Sequence, residues 1–212
     1  MRLTLTTFIS VDGVMQAPGG PEEDRSGGFE QGGWLVPHCD DDMGEFMAGV
    51  MAEADAFLLG RRTYDIFAAA WPTVTDPHDP IASRLNGLPK YVPSRSLEDP
   101  AWAPTTVLRG DLVEEVQALK RRPGRELQVH GSGALARSLM QHDLIDVYRL
   151  LTFPVILGDG RKLFEHGALP TALRLQQTRT TSKGTTISIY ESAGRPTYGE
   201  FELAAESGGA QP

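Results

Sequence analysis

The chain has 212 residues, 40% of them apolar and 23% charged, with a formal charge of −8 and a pI near 5.1. That length suits one domain with a sizeable core, and the acidic balance argues against nucleic acid or an anionic membrane as the main partner, while leaving room for a local basic pocket. A single cysteine, Cys39, excludes an internal disulfide or a cysteine-rich zinc site, no run is long and apolar enough to span a bilayer, and Met1-Arg2 enters a strand-like run with no signal pattern, so a cytoplasmic protein is expected.

Leu3 to Ser10 (LTLTTFIS) is rich in β-branched and aromatic residues and predicts a strand, ended by the turn signal Val11-Asp12-Gly13. Gln16 to Gly33 carries many Gly, Pro, Asp and Glu residues without periodicity, which predicts a long loop of the lid or binding type. Trp34 to Pro37 is an apolar interruption that has to pack onto something. Asp40 is a good N-cap, Asp41 and Asp42 suit the first turn, and Met43, Phe46, Met47, Val50 and Met51 recur at helical spacing to about Glu53. Asp55 to Gly60 predicts a buried strand, Arg61 to about Trp71-Pro72 a helix, Thr73 to Pro80 a loop, and Ile81 to Leu88 a short helix. Strands are expected at Lys90 to Ser94 and Thr105 to Arg109, then a helix at Leu112 to Arg121 stopped by Pro123-Gly124.

From Glu126 to Gly160 the pattern is strand (Leu127 to His130), glycine turn (Gly131-Ser132-Gly133), helix (Ala134 to Gln141), and a longer strand starting at Leu144. Leu173 to Thr181 and Thr185 to Glu191 flank Ser182-Lys183-Gly184 as an antiparallel hairpin. The main domain is expected to cover 1–192 and an extension 193–212, with Glu206 to Pro212 fraying. Strands alternating with helices predict an α/β fold with parallel strands.

Three strand ends finish in polar turns: Gly60-Arg61-Arg62-Thr63, Pro93-Ser94-Arg95 and Gly131-Ser132-Gly133. In an open parallel sheet, ligands sit outside the carboxyl ends of the strands, and a glycine turn before a helix exposes amide donors to a phosphate. Arg61, Arg62 and Arg95 suit phosphate oxygens, and Thr63 and Ser94 add hydroxyls. Taken alone, each turn could equally be a tight turn or a solvated face. Asp12 is read as a turn residue before a catalyst; Asp40, Asp41, Asp42 and Glu45 as cap and dipole residues, one of which could face a substrate. The five histidines (His38, His78, His130, His142, His166) show no metal-ligand spacing, and His130 is read as a core histidine before a catalyst. No H-x-E with P-C-x-x-C, no G-x-S-x-G and no G-x-x-x-x-G-K-[ST] occurs, which removes zinc deaminase, serine hydrolase and P-loop chemistry.

S-V-D-G (Ser10 to Gly13), L-L-G-R-R-T-Y (Leu58 to Tyr64), K-Y-V-P-S-R-S-L (Lys90 to Leu97), V-H-G-S-G (Val129 to Gly133) and the long run Leu144 to Phe164 occur in that order. Over roughly residues 1 to 192 this set resembles the dihydrofolate-reductase-like superfamily, specifically stand-alone proteins similar to the C-terminal reductase domain of the bifunctional riboflavin-pathway enzyme. The resemblance implies a three-layer α/β/α fold: a central, mostly parallel mixed sheet, helices on both faces and an antiparallel C-terminal hairpin. It implies NADPH as cofactor, with Gly60, Arg61, Arg62 and Thr63 on its phosphates and Arg61 leading at the 2′-phosphate. Ser94 and Arg95 would flank the adenine side with Arg109 near. His130, Gly131, Ser132, Gly133, Ala134 and Leu135 would line the pyrophosphate, and Phe8, Val14 and Gln16 would lie near the nicotinamide. It also implies an acid on the first helix, for which Asp40 or Glu45 are the candidates.

The expected chemistry is hydride transfer to a flat pyrimidine-, pterin- or flavin-like heterocycle held between Trp34, Phe46, Val50 and Phe153, with the Gln16 to Gly33 loop as a lid. A non-catalytic nucleotide- or flavin-binding protein on the same fold is the alternative. A homodimer is expected through the Tyr148 to Leu157 run and the closing hairpin. No metal is expected.

Overall fold

The computed structural model describes residues 1–165 and 168–201. His166 and the tail from Glu206 lie outside the described residues.

The strands are β1 (Arg2–Ser10), β2 (Ala54–Leu58), β3 (Lys90–Pro93), β4 (Thr105–Leu108), β5 (Glu126–His130), β6 (Val147–Phe153), β7 (Leu173–Thr180) and β8 (Thr186–Ser192). They form one sheet in the order β4-β3-β2-β5-β1-β6-β8-β7. From β4 to β6 neighbours are parallel, while β8 runs antiparallel to both β6 and β7. The helices are α1 (Asp41–Glu53), α2 (Arg61–Ala70), α3 (Ala82–Gly87), α4 (Leu112–Lys120) and α5 (Gly133–Gln141).

Two apolar layers sandwich the sheet. On one side Leu3, Leu5, Leu127 and Val129 meet Val116 and Leu119 of α4 and Leu135, Ala136 and Leu139 of α5. On the other, Phe57, Leu151, Phe153 and Ile187 meet Met47 and Met51 of α1, Tyr64 of α2, Leu85 of α3, and Trp34 from the long loop. Val14, Phe29 and Leu35 of the loop region join this second layer. Each buried aliphatic or aromatic side chain there stabilises by roughly 1.5–3 kcal/mol, so the loop is held by its apolar anchors.

Alternation along β1 explains the asymmetry of the two faces. Leu3, Leu5 and Ile9 enter the first layer, whereas Thr4 and Thr6 point the other way with Gln128, His130 and Arg149, which pair with them in register, and with Glu126, which pairs with Arg2 two residues earlier on the same face. A buried polar stripe therefore lies on the α1 side. Glu126 and Arg149 form a bidentate pair at 2.6 and 3.0 Å, with side chains 12% and 11% exposed. Gln128 Nε2 donates to Glu126 Oε2 at 2.7 Å and to the Val50 carbonyl at 2.6 Å, and its Oε1 meets His130 Nε2 at 3.0 Å. Burial would raise the Glu126 carboxyl, but its bonds from Arg149, Gln128 and Thr4 outweigh this and hold it below the usual range.

The sequence places the elements correctly, with one informative shift. Leu144 and Ile145, read as strand, are buried but precede β6, which starts at Val147. Asp146 takes the backbone N–H of Leu3 at 2.8 Å and Lys120 Nζ at 2.9 Å, which bends the chain between α5 and β6. Beyond β8, Ala193 and Gly194 exchange backbone bonds with Ala172, and Arg195 pairs with Asp143 at 2.6 Å, so the start of the extension packs on the domain.

The dimer surface expected over Tyr148 to Leu157 needs correcting. β6 lies inside the sheet, between β1 and β8, and Tyr148, Leu150, Leu151 and Phe153 are buried. The exposed apolar positions on that side are Ile156 and, on the edge strand β7, Leu173 and Leu175.

Candidate cofactor site

The N-termini of the helices divide into two kinds. Asp40 caps α1, its Oδ1 accepting from Met43 N at 2.9 Å, and Asp111 caps α4 through Val113 and Glu114. α2 and α5 begin at Gly60 and Ser132 with no side-chain cap. Among the described residues, no acceptor meets the amides of Gly133, Ala134 and Leu135, the first turn of α5. An uncapped helix start carries free N–H donors and the positive end of the helix dipole.

These two uncapped starts are joined. β2 and β5 are adjacent, so their carboxyl ends lie side by side. Gly60 N donates to Ser132 Oγ at 3.0 Å, Ser132 N to Thr63 Oγ1 at 3.1 Å, and Ser132 Oγ to the His130 carbonyl at 2.9 Å. A Cβ on Gly60 would come to 3.4 Å from Ser132 Cβ, at the close limit of ordinary van der Waals contact. Gly131 and Ser132 both have φ near +55°, a left-handed step that glycine takes freely and serine rarely. The turn thus folds back on itself before α5 begins. The glycine turn and the Gly60-Arg61-Arg62-Thr63 turn are one hydrogen-bonded unit.

The third turn is tied in by arginines. Arg61 pairs with Asp65 at 2.9 Å and donates to Ser96 Oγ at 3.1 Å, bridging α2 to the turn after β3. Arg109, at the end of β4, donates to the carbonyls of Ser94, Arg95 and Leu97 at 3.3, 3.0 and 2.7 Å. Ser94 Oγ accepts from Ser96 N and Leu97 N, so this hydroxyl shapes the turn. The Arg95 side chain is exposed. Three strand ends, those of β2, β3 and β4, therefore present Arg61, Arg62, Arg95 and Arg109 along one edge.

The long loop covers this edge. Gln16, expected beside a nicotinamide, is buried and its amide is fully committed. Nε2 donates to the carbonyls of Asp24 and Ser26 at 3.0 and 2.9 Å, and Oε1 accepts from Arg161 N at 3.0 Å. Val14 is likewise fully buried, its N–H donating to Ser10 Oγ at 2.9 Å. Met15 is the residue that reaches the cradle: a Cβ on Gly133 would meet its Sδ at 2.8 Å. Asp24 on the loop contacts Arg62 and Arg161, neither of which the sequence placed against it.

Next to this edge is an aromatic group. Phe8, Trp34 and His38 meet Phe153 edge-on, with centroids at 5.8, 5.5 and 6.2 Å. Trp34 Nε1 donates to the Gln16 carbonyl at 2.8 Å, fixing the ring. Phe46 sits under Arg179, whose guanidinium is 5.2 Å from the ring. Val50 is a core residue, with its carbonyl taken by Gln128. His38 was not singled out by its spacing; only contact shows that it borders the aromatic group.

The acidic candidates change meaning. Asp40 has Oδ1 in the α1 cap and Oδ2 accepting from Lys183 N at 2.8 Å; Asp42 accepts from Ser182 N at 2.7 Å. Both bind the β7–β8 turn to α1. Desolvation pushes the Asp40 carboxyl up, but bonds from Met43, Thr181 and Lys183 together bring it below the usual range. Such a carboxylate stays ionised and donates no proton. Glu45 is exposed on α1. Asp12 is the turn residue expected: it accepts from Ser10 Oγ at 2.6 Å, Leu157 N at 3.1 Å and Gly158 N at 3.0 Å, and the Ser10 bond first, then Leu157, lower its pKa to about 2. His130 is a core residue, and burial pushes its pKa down to about 4, leaving a neutral ring.

One hollow, about 670 Å³, is lined by Pro72, Val74, Asn86 and Trp102 among others and includes none of the three turns. It is shallow and gathers no arginine, so the charged edge is the better candidate. Among the described residues, no group of His, Cys, Asp and Glu side chains could hold a metal, and no helix is long and apolar enough to cross a membrane.

An open, mostly parallel sheet with joined, uncapped helix starts and arginines at its carboxyl edge defines an α/β protein whose edge gathers N–H and guanidinium donors, and its fold is dihydrofolate-reductase-like. The family model of the RibD C-terminal domain matches residues 2–187, and the chain belongs to that family. The Bacillus subtilis (strain 168) protein YyaP, itself uncharacterized, is 26% identical over 191 residues, 89% of this chain and 94% of its own. A solved structure from Shewanella sp. PV-4, provisionally assigned to riboflavin biosynthesis, has a TM-score of 0.69 at 21% identity, covering 91% of this chain and 99% of that one. A Thermotoga maritima diaminohydroxyphosphoribosylaminopyrimidine deaminase/5-amino-6-(5-phosphoribosylamino)uracil reductase gives 0.60 at 14% identity; 91% of this chain aligns with 56% of that larger one.

Proposed function

We propose that this chain is an NADPH-dependent reductase acting on a flat heterocycle of pyrimidine, pterin or flavin type. The observation that carries the reading is the junction of two uncapped helix N-termini, α2 and α5, beside four strand-end arginines. The amides of Gly133, Ala134 and Leu135 would hold the pyrophosphate, as anions are held at helix starts elsewhere. Arg61 and Arg62 would take the 2′-phosphate, with Arg95 and Arg109 framing the adenine side. When bound, the nicotinamide supplies the hydride. The chain's own residues position and dry the site: the partly exposed rings of Phe8 and His38, backed by the buried Trp34 and Phe153, would border a planar substrate, and the Gln16 to Gly33 loop excludes water.

One observation favours the alternative, cofactor binding without turnover. Asp40 is committed to its cap and hairpin bonds, and Glu45 is exposed, so no carboxylic acid among the described residues stands ready at the aromatic group. On the reductase reading, bound water or His38 delivers the proton. Calorimetric titration with NADPH tests the first step: sub-millimolar binding is expected, and its absence sinks the reductase reading. Turnover of a pyrimidine, pterin or flavin then separates them. We place the protein in the cytoplasm as a homodimer joined through β7, whose exposed Leu173 and Leu175 lie on a free sheet edge. A monomer by sedimentation at micromolar concentration overturns the dimer.

A further inference from the structure

Asp24 lies in the long loop, Arg62 in the first turn of α2 and Arg161 on the segment after β6, yet all three meet. Arg62 Nη1 is 3.2 Å from Asp24 Oδ2, and Arg161 Nη2 donates to that same oxygen. The other oxygen accepts from Ser26 N at 3.1 Å and Ser26 Oγ at 2.6 Å, and Arg161 Nη1 donates to Ser26 Oγ at 2.6 Å. The Asp24 side chain is only 9% exposed, although it belongs to a surface loop. Two guanidinium groups plus a hydroxyl and an amide on one small anion are the donor set that recognises a phosphate. One of the two guanidiniums belongs to the α2 start itself.

We propose that Asp24 is an internal substitute for a phosphate of the incoming dinucleotide, and that the loop is a latch. Cofactor binding displaces the carboxylate from Arg62 and Arg161, and the Asp24 to Ser26 segment swings off the sheet edge. Arg161 thereby becomes a phosphate-binding residue. The proposal rests on the cofactor reading above. The Gln16 amide holds the carbonyls at both ends of the segment, so opening gives up these two bonds along with those to the arginines, and Gly27 and Gly28, with φ of +75° and +80°, follow as the turn about which the segment swings. Phe29 beyond them is 3% exposed and serves as a fixed anchor. Leaving the latch closed lowers apparent affinity by the fraction of molecules that are open, so the latch acts as a threshold on cofactor concentration.

The test uses Asp24→Asn, which keeps size and the acceptor for Ser26 but removes the charge. Full-length wild type and variant are titrated by calorimetry with NADPH and, separately, with inorganic pyrophosphate at matched ionic strength. Both ligands are expected to bind the variant more tightly, on the order of tenfold. Arg161→Gln should weaken both in either background. Unchanged or weaker binding to Asp24→Asn overturns the latch, because a carboxylate that merely propped the loop as a wall would be missed by the ligand. Tighter pyrophosphate with no NADPH binding to either protein keeps the latch and removes the cofactor reading. NADPH binding that ignores the substitution does the reverse. Binding of neither ligand to either protein overturns the latch. Ser26→Ala, which removes only a hydroxyl from the carboxylate, serves if Asp24→Asn fails to fold, and tightens pyrophosphate binding to a smaller degree.

Discussion

His130 gives a prediction whose size follows from where the ring sits. It ends β5 directly under the glycine turn, 6% exposed, with Nε2 on Gln128 and its ring 5.8 Å from Phe57. Burial first, and the nearby Arg149 charge second, lower its pKa from 6.5 to about 4. A base whose folded pKa is depressed binds its proton more readily unfolded. Its neutral form is therefore fully compatible with the fold above pH 6.5, and stability is lost as pH falls from 6.5 toward 4. Between pH 7 and pH 5, linkage with these two values gives a loss of about 2 kcal/mol from this one residue. Urea unfolding of wild type and His130→Gln at both pH values measures it. Glutamine keeps a donor for Gln128 and cannot titrate. The variant starts less stable but should lose about 2 kcal/mol less on acidification, other carboxylates cancelling in the comparison. Equal losses for the two proteins would falsify the buried, neutral histidine.

Three further outcomes are expected. Arg61→Ala should weaken NADPH by on the order of ten- to a hundredfold, the worth of a charge-assisted bond, and NADH hardly at all; equal loss for both in a titration removes Arg61 from the 2′-phosphate. Lys90, fully buried, donates to the carbonyls of Leu85 and Leu88 at 2.7 and 3.0 Å and lies 4.4 Å over the Trp102 ring, so Lys90→Met strands the end of α3 and should lower unfolding free energy by about 1–3 kcal/mol, read by chemical denaturation. Asp12→Ala frees the amides of Leu157 and Gly158 and should destabilise by about 1–3 kcal/mol at neutral pH. Because the Asp12 pKa is depressed to about 2 from 3.8, its contribution is present above 3.8 and fades as pH falls toward 2, so the variant's deficit should shrink in acid; a constant deficit would count against the clamp.

Much of the fold was legible because each element carries its own period and punctuation. Asp40 before Met43, Phe46, Met47 and Val50 marks α1, and Ser182-Lys183-Gly184 marks the hairpin. The three turns could be listed as chemistry from residue type, but their junction could not. It depends on β2 and β5 being neighbours, which no local pattern reveals. Resemblance put Gln16 and Asp40 near the ligand, and position alone could not show that their polar atoms were already spent on the loop and the hairpin. Arg161 and Asp24 were missed for a related reason. Each is a charged residue in an irregular segment, where sequence reads only solvation, and their pairing spans 137 positions. Only the structure shows that Asp24 is buried and needs a cation from outside its own segment, whose one arginine, Arg25, pairs with Glu22.

The acidic sequence and the basic site are reconciled by distance. A formal charge of −8 describes the field far from the protein, and salt screens fields beyond roughly 8 Å at physiological ionic strength. A ligand at the sheet edge feels instead Arg61, Arg62, Arg95, Arg109 and two helix starts, with Asp65 and Asp24 as the near counter-charges. Only one of those two acids is mobile. Asp65 is on α2, an i,i+4 partner that travels with Arg61, so its opposition is constant. Asp24 is on the loop and can leave. The basic character of the site is thus a property of the loop's position: muted while Asp24 is in place, and complete once a phosphate has replaced it. Nonspecific anions that make only a single weak contact cannot displace a carboxylate held by two arginines and a serine, whereas a diphosphate that also satisfies the α5 amides can. The same contact that lowers affinity therefore raises discrimination.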